Sequence, residues 1–168
     1  SIANLVGVLE TGTIHYAFGG WAAPVGIEWI ADGLASVMTV ALSLIALVCA
    51  IFLSSVLFPY LGSRIVPFYT LVLLLIASLT GMSFAGGLFN LFVFLEVSAL
   101  CAYALVGLAG GKALVAAFRY LILGTFGASL YILGVGYLYA ETGTLNMADL
   151  AQRVPPLVAS KAIAVGVL

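Results

Sequence analysis

The sequence predicts an all-α fold: a polytopic membrane helix bundle with four full transmembrane helices and a truncated fifth. Three observations carry this. The 168 residues are 65% hydrophobic and only 7% charged, where a soluble domain carries about 25% charged residues. Mean hydropathy is +1.32. Apolar stretches reach the length of about 20 residues that a helix needs to cross a bilayer.

Five basic and six acidic side chains cannot cover the surface of a water-soluble protein of this size, so most of the surface faces lipid. A formal net charge of −1 with scattered basic residues excludes nucleic acid as a partner, because phosphate binding needs a dense Lys/Arg footprint. Cys49 and Cys101 stand singly inside apolar runs, without the spacing of a zinc site or a disulfide framework. The chain starts at Ser1 with no basic segment ahead of an apolar one and stops inside the apolar run 162–168. It reads as a fragment.

Residues 1–31 are expected to be an outer loop and the end of a preceding segment, and 32–168 a single bundle. The spans are placed at about 32–57, 67–85, 88–108, 113–139 and 157–168. Pro59 and Pro67 bracket the first connection, and Pro67 suits a first helical turn, where its missing N–H costs nothing. Gly86-Gly87 and Gly110-Gly111 make the next two turns. In the polar stretch 141–156, Asn146 can cap a short helix over about 147–153, with Asp149 favoured by the helix dipole and Leu145 and Leu150 placed as a hydrophobic staple. That helix is expected at the interface, ended by Pro155-Pro156.

If Asp32 starts the first span on the outer side, Arg64, Lys112 and Arg119 fall at or near the inner side, and Glu10, Glu28, Asp32, Glu141 and Asp149 outside. Arg153 and Lys161 dissent, so the positive-inside rule favours this orientation by three basic residues to two. Trp21 and Trp29 are expected in the headgroup zone.

Glu96 is the residue that asks for a function. It falls near the middle of the third span, and a carboxylate at that depth costs roughly 2.5–3.5 kcal/mol to insert, so it faces a protein interior or a water cavity. Desolvation pushes its proton affinity up and a nearby cation pulls it down, a balance that suits proton uptake and release. The plainer reading is a fixed ion pair that locks two helices. Arg119 is the candidate partner, its level about 9 Å from that of Glu96. Arginine keeps its proton, so it would set the field on Glu96 or snorkel to the inner interface. Tyr103, two turns from Glu96 on the same face, can extend a hydrogen-bonded chain.

Asp32, Ser36, Thr39 and Ser43 share one face of the first span and form a polar stripe about 16 Å long. It either lines a hydrated path or consists of hydroxyls bonded back to their own helix. Gly124, Gly127 and Gly134 allow close helix approach. The run 107–112 is no phosphate loop, because Val106 and Ala113 stand where glycine and Ser/Thr are needed. His15 has no second histidine or cysteine with which to share a metal and reads as solvated. No cofactor motif and no nucleophile–base pair is visible, which argues against a catalytic site in this chain.

The segments Phe89–Val97, Ala102–Leu105, Ala117–Tyr120, Leu138-Tyr139 and Thr142–Ala148 together resemble the antiporter-like membrane subunits shared by respiratory complex I, Mrp-type cation/proton antiporters and membrane-bound hydrogenases. Among these the chain most resembles the D-type Mrp subunit. The likeness spans about 32–156 and implies that the five spans match the family's third to seventh helices, in the cell (inner) membrane. It implies a proton-translocating or Na+/H+-antiporting role beside other membrane subunits, with Glu96 at the family's fifth-helix glutamate. The lysine that works with this glutamate would lie about ten residues beyond Leu168, and Lys161 does not match it. Gly87 stands where Mrp-type subunits often carry aspartate, which weakens a sodium-specific role, and Arg119 stands where lysine is common. The rival readings are a non-transporting assembly subunit and an unrelated small-solute transporter, although the latter commonly shows broken helices at its substrate site.

Overall fold

The computed structural model describes residues 2–21, 23, 26–56 and 62–155. The expected fifth span at 157–168, with Lys161, and the positions of Pro59 and Pro156 lie outside the described residues. Four helices are long and apolar enough to cross a membrane. They follow a short helix α1 (Ile2–Thr11) and a hairpin of β1 (Ile14–Ala17) and β2 (Glu28–Ala31). The spans are α2 (Gly33–Val56), α3 (Ile65–Phe84), α4 (Leu88–Gly107) and α5 (Lys112–Thr142), and the short α6 (Met147–Arg153) comes last. They run alternately up and down, α2 against α3, α3 against α4 and α4 against α5.

The span boundaries agree with the sequence expectation to within three residues at each described end. Asp32 caps α2, its Oδ1 accepting from Ala35 N at 2.7 Å. Gly110 and Gly111 take φ of 75° and 53° between α4 and α5, a backbone region where a Cβ is unwelcome. The connection is further closed by Arg64, whose Nη1 donates to Leu108 O at 2.7 Å and so satisfies a carbonyl at the end of α4. Asn146 is the expected cap of α6: its Oδ1 accepts from Ala148 N at 3.0 Å and Asp149 N at 3.1 Å, and Leu150 is buried.

Within the expected outer loop, Ile14–Ala17 and Glu28–Ala31 form a hairpin. Ile14 pairs with Ala31, His15 with Ile30, Tyr16 with Trp29 and Ala17 with Glu28, antiparallel. Each strand has only four residues and neither alternates apolar with polar side chains, so the period-two signal of a strand is absent. Trp29 packs against aromatic rings. It is half-buried, with its ring against Phe18, Phe84 and Phe94 at centroid distances of 4.8, 6.2 and 6.3 Å, while Trp21 is exposed.

The hairpin is bonded to the turn between α3 and α4, and that turn and the start of α4 to the segment that leads into α6. Gly86 N donates to Glu28 O at 3.0 Å, Met147 N to Gly86 O at 3.0 Å, and Leu88 N to Leu145 O at 2.9 Å. This hairpin end carries Glu28, Asp32 and the Asp149–Arg153 pair, and the opposite end carries Arg64 and Lys112, so Arg153 is the dissenter among the described basic residues from the separation of charge that the positive-inside rule uses.

Helix packing depends on small residues. A Cβ on Gly81 would run into the ring of Phe94, so α3 and α4 touch closely there. Gly124 has the same role between α5 and α4, whereas a Cβ on Gly127 would meet nothing within 4 Å.

Candidate functional site

Glu96 is the ninth residue of α4, about 12 Å from its start. It is half-buried among apolar neighbours in sequence. Phe89, Glu96 and Tyr103 recur every seven residues and therefore share a face. The Tyr103 end of that face turns toward α5, where Tyr103 is 8% exposed and packs edge-on against Tyr120 at a centroid distance of 4.6 Å, while Phe89 at the other end is exposed.

Three contacts set the antiparallel register of α4 and α5: Gly107 beside Ala117, Tyr103 beside Tyr120 and Phe92 stacked on Tyr131 at 5.8 Å. By that register Glu96 stands level with Gly127 and Ala128, two of the smallest residues of α5. Gly127 is exposed, and a Cβ there would meet nothing within 4 Å. Arg119 stands level with Ala104 and Leu105, about 12 Å below Glu96, more than the 9 Å expected from sequence. It is exposed, and among the described residues it has no ion pair with Glu96 or with any other side chain.

The polar stripe of α2 is there, and its members differ. Thr39 Oγ1 donates to Ala35 O at 2.7 Å and Ser43 Oγ to Thr39 O at 2.8 Å, the back-bonding that hydroxyls adopt in membrane helices. Ser36 is 0% exposed and its Oγ has no partner. Asp32 lines a cavity of about 440 Å³ between α2 and α3 with Ser83, Met38, Met82 and Met147.

A second polar cluster is one that sequence reasoning missed. His15 does not stand free in solvent: its Nδ1 lies 2.6 Å from Glu28 Oε1, and Glu28 Oε2 accepts from Asn146 Nδ2 at 2.9 Å. The partners are 13 and 118 residues apart in sequence, so no local pattern announces them. Nearby, Asp149 pairs with Arg153 at 2.9 Å. A hydrogen bond from Thr144, then the Arg153 guanidinium, hold the Asp149 carboxyl below the usual carboxylate range. Among the described residues no three His, Cys, Asp or Glu side chains gather to hold a metal.

The family described as "NADH:quinone oxidoreductase/Mrp antiporter, TM" matches residues 85–168, which begin just before α4. The chain belongs to that family. It is 48% identical over 153 residues to the N subunit of the NADH-quinone oxidoreductase of Desulforudis audaxviator, covering 89% of this chain and 30% of that one. It is 39% identical over 160 residues to the D-type subunit of the Na(+)/H(+) antiporter of Alkalihalophilus pseudofirmus, covering 94% and 32%. A chain of the membrane-bound sulfane sulfur reductase, an archaeal respiratory membrane complex, superposes with a TM-score of 0.89 at 33% identity, covering 98% of this chain and 34% of that chain. This family member thus spans about a third of the length of the relatives it matches, and like them it is a multi-pass membrane protein. The likeness expected from α4 and α5 is borne out.

Proposed function

We propose that this chain is part of a proton-translocating, or Na+/H+-antiporting, membrane subunit, and that Glu96 is the group that takes up and releases the proton. The observation that carries the reading is the placement of Glu96: mid-helix, half-buried, unpaired by any cation among the described residues, and level with Gly127 and Ala128. A carboxyl held by a fixed ion pair would be locked in one charge state, and a carboxyl facing lipid would stay protonated. Glu96 has no such ion pair among the described residues. Tyr103 stands two turns along the same face as a hydroxyl that can extend a hydrogen-bonded chain.

Arg119 contributes a fixed positive field from about 12 Å away and does not carry the proton. The Asp32–Ser36–Thr39–Ser43 face supplies a polar approach along α2, in which Ser36 is the member whose hydroxyl is free to bind water. Other membrane subunits supply the driving reaction or complete the ion path, as the relatives' names suggest. The lysine partner implied by the family likeness would lie beyond Leu168.

The test is Glu96→Gln in the full-length protein within its assembly, read as proton or sodium transport in proteoliposomes. Transport should fall by at least about tenfold, and Glu96→Asp should retain part of it. Unchanged transport in Glu96→Gln removes this residue from the mechanism.

A further inference from the structure

We propose that His15 and Glu28 form a proton-exchange site at the hairpin end of the bundle, through which protons pass between bulk water and the path that serves Glu96. This rests on Glu96 as the proton carrier and adds a group that no pattern in the sequence singles out.

The pair is built with one wet side and one dry side. The His15 side chain is 55% exposed and that of Glu28 15%. The 2.6 Å separation of Nδ1 and Oε1 is the length of a charge-assisted hydrogen bond. With Nδ1 held by Glu28, Nε2 is left for solvent. Histidine is the side chain whose charge changes between pH 5 and 8, which makes it the natural first acceptor at a water boundary. The other oxygen of Glu28 is held by the Asn146 amide, which donates a hydrogen bond but does not exchange its proton as an acid. Proton traffic therefore runs through Oε1 and the lone pairs of Glu28 that remain free.

Those lone pairs adjoin a cavity of about 190 Å³ lined by Glu28, Phe89, Asn90 and Asn146 together with Gly26 and Gly87. It is large enough for several waters. Asn90 supplies an independent sign that water belongs there: its Nδ2 is buried and has no partner in the protein, and a buried donor is ordinarily satisfied. Phe89, on the cavity wall, shares its helix face with Glu96, one heptad and about 10 Å deeper.

The charged and titratable groups around the pair leave its chemistry to the pair itself. The hairpin brings Tyr16 and, at its end, Asp32. Helix α1, whose Gly7 lies against Ile14, brings Glu10. The cavity wall has no charged side chain besides Glu28, and α6 brings Asp149 and Arg153, which are paired with each other. The step is a proton transfer only. Nε2 accepts H+ from hydronium or a buffer acid, releasing water or the buffer base; Nδ1–H passes its proton to Oε1, and Glu28 yields it to cavity water; Nε2–H then loses its proton to solvent as Nδ1 regains one from water, which resets the imidazole. The reverse sequence releases a proton to bulk.

The experiment uses the full-length protein in its assembly, reconstituted in proteoliposomes, with the buffer on the hairpin side either dilute or concentrated MES. His15→Gln keeps a donor for Glu28 but cannot take up a proton. In dilute buffer it should transport roughly fivefold more slowly or worse, and recover in concentrated MES, which brings protons directly to Glu28. Transport unaffected in dilute buffer, or a loss that MES does not restore, overturns the proposal, since a mere clamp on the hairpin would not respond to buffer. Hydrogen exchange at the hairpin amides checks that β1 and β2 remain paired; if they do not, Glu28→Asp, which shortens the reach to His15 and keeps the carboxylate, is judged by the same buffer comparison. Glu96→Gln should stay inactive in both buffers. Full transport by Glu96→Gln beside a buffer-rescued His15→Gln would sink the assignment of Glu96 and leave the surface site standing.

Discussion

The hydroxyl of Tyr103 occupies the space that a side chain at position 124 would need: a Cβ on Gly124 would overlap it, and the ring carbon that bears it would be 2.7 Å away. This contact brings α5 against α4 within two turns of Glu96, so the packing of the bundle and the geometry beside the carboxylate are the same feature.

Gly124→Ala should therefore destabilise the protein by about 1–3 kcal/mol through overpacking, seen as a lower thermal midpoint of the detergent-solubilised assembly. Adding Tyr103→Phe should recover part of the loss, because the hydroxyl goes but the ring carbon stays too near. Strictly additive effects in this double-mutant cycle would mean that the two residues do not touch.

Asn146 joins two structures at once, capping α6 with its oxygen and holding Glu28 with its nitrogen. Asn146→Ala should cost about 1–3 kcal/mol from the lost cap and the carboxylate left short of a donor. Amide exchange should quicken at Ala148, Asp149 and the hairpin together. Faster exchange in α6 alone would show that the bond to Glu28 does not hold the hairpin.

Asp149 gives a pH dependence with a definite sign. Its carboxyl is held low by Thr144 and then by Arg153. The unfolded value is near 3.9, so the stability it contributes is present above about pH 4 and is lost as pH falls through the lower folded value. Protection of α6 amides, corrected for intrinsic exchange, should decline from about pH 4 downward, and Asp149→Asn should flatten that decline. Equal protection at about pH 6 and about pH 3 would contradict it.

Ser36 separates a dry stripe from a wet one. Its hydroxyl is buried and unpartnered, so in a dry site Ser36→Ala should be neutral or stabilising by up to about 1 kcal/mol. A loss larger than that would reveal a bound water, and with it a hydrated stretch of α2 between Asp32 and Thr39.

The amino-acid sequence by itself determined the four described spans, the glycine turns at 86–87 and 110–111, the α6 cap and the place of Glu96 along α4, because lipid imposes a length and an apolar composition that can be counted along a chain. Even Tyr103 could be placed, since a helix repeats its face every seven residues. Tertiary structure decided which groups meet. The offset between α4 and α5 set by Gly107, Tyr103 and Phe92 put Arg119 well below Glu96, where counting from the helix ends had placed it closer. Trp29 turned inward onto Phe18, Phe84 and Phe94, and His15 found Glu28 and, through it, Asn146. A bilayer acts on each segment separately and leaves its mark in local composition. A register between helices and a hydrogen bond across 118 residues come from shape and packing, and those exist only once the segments are side by side.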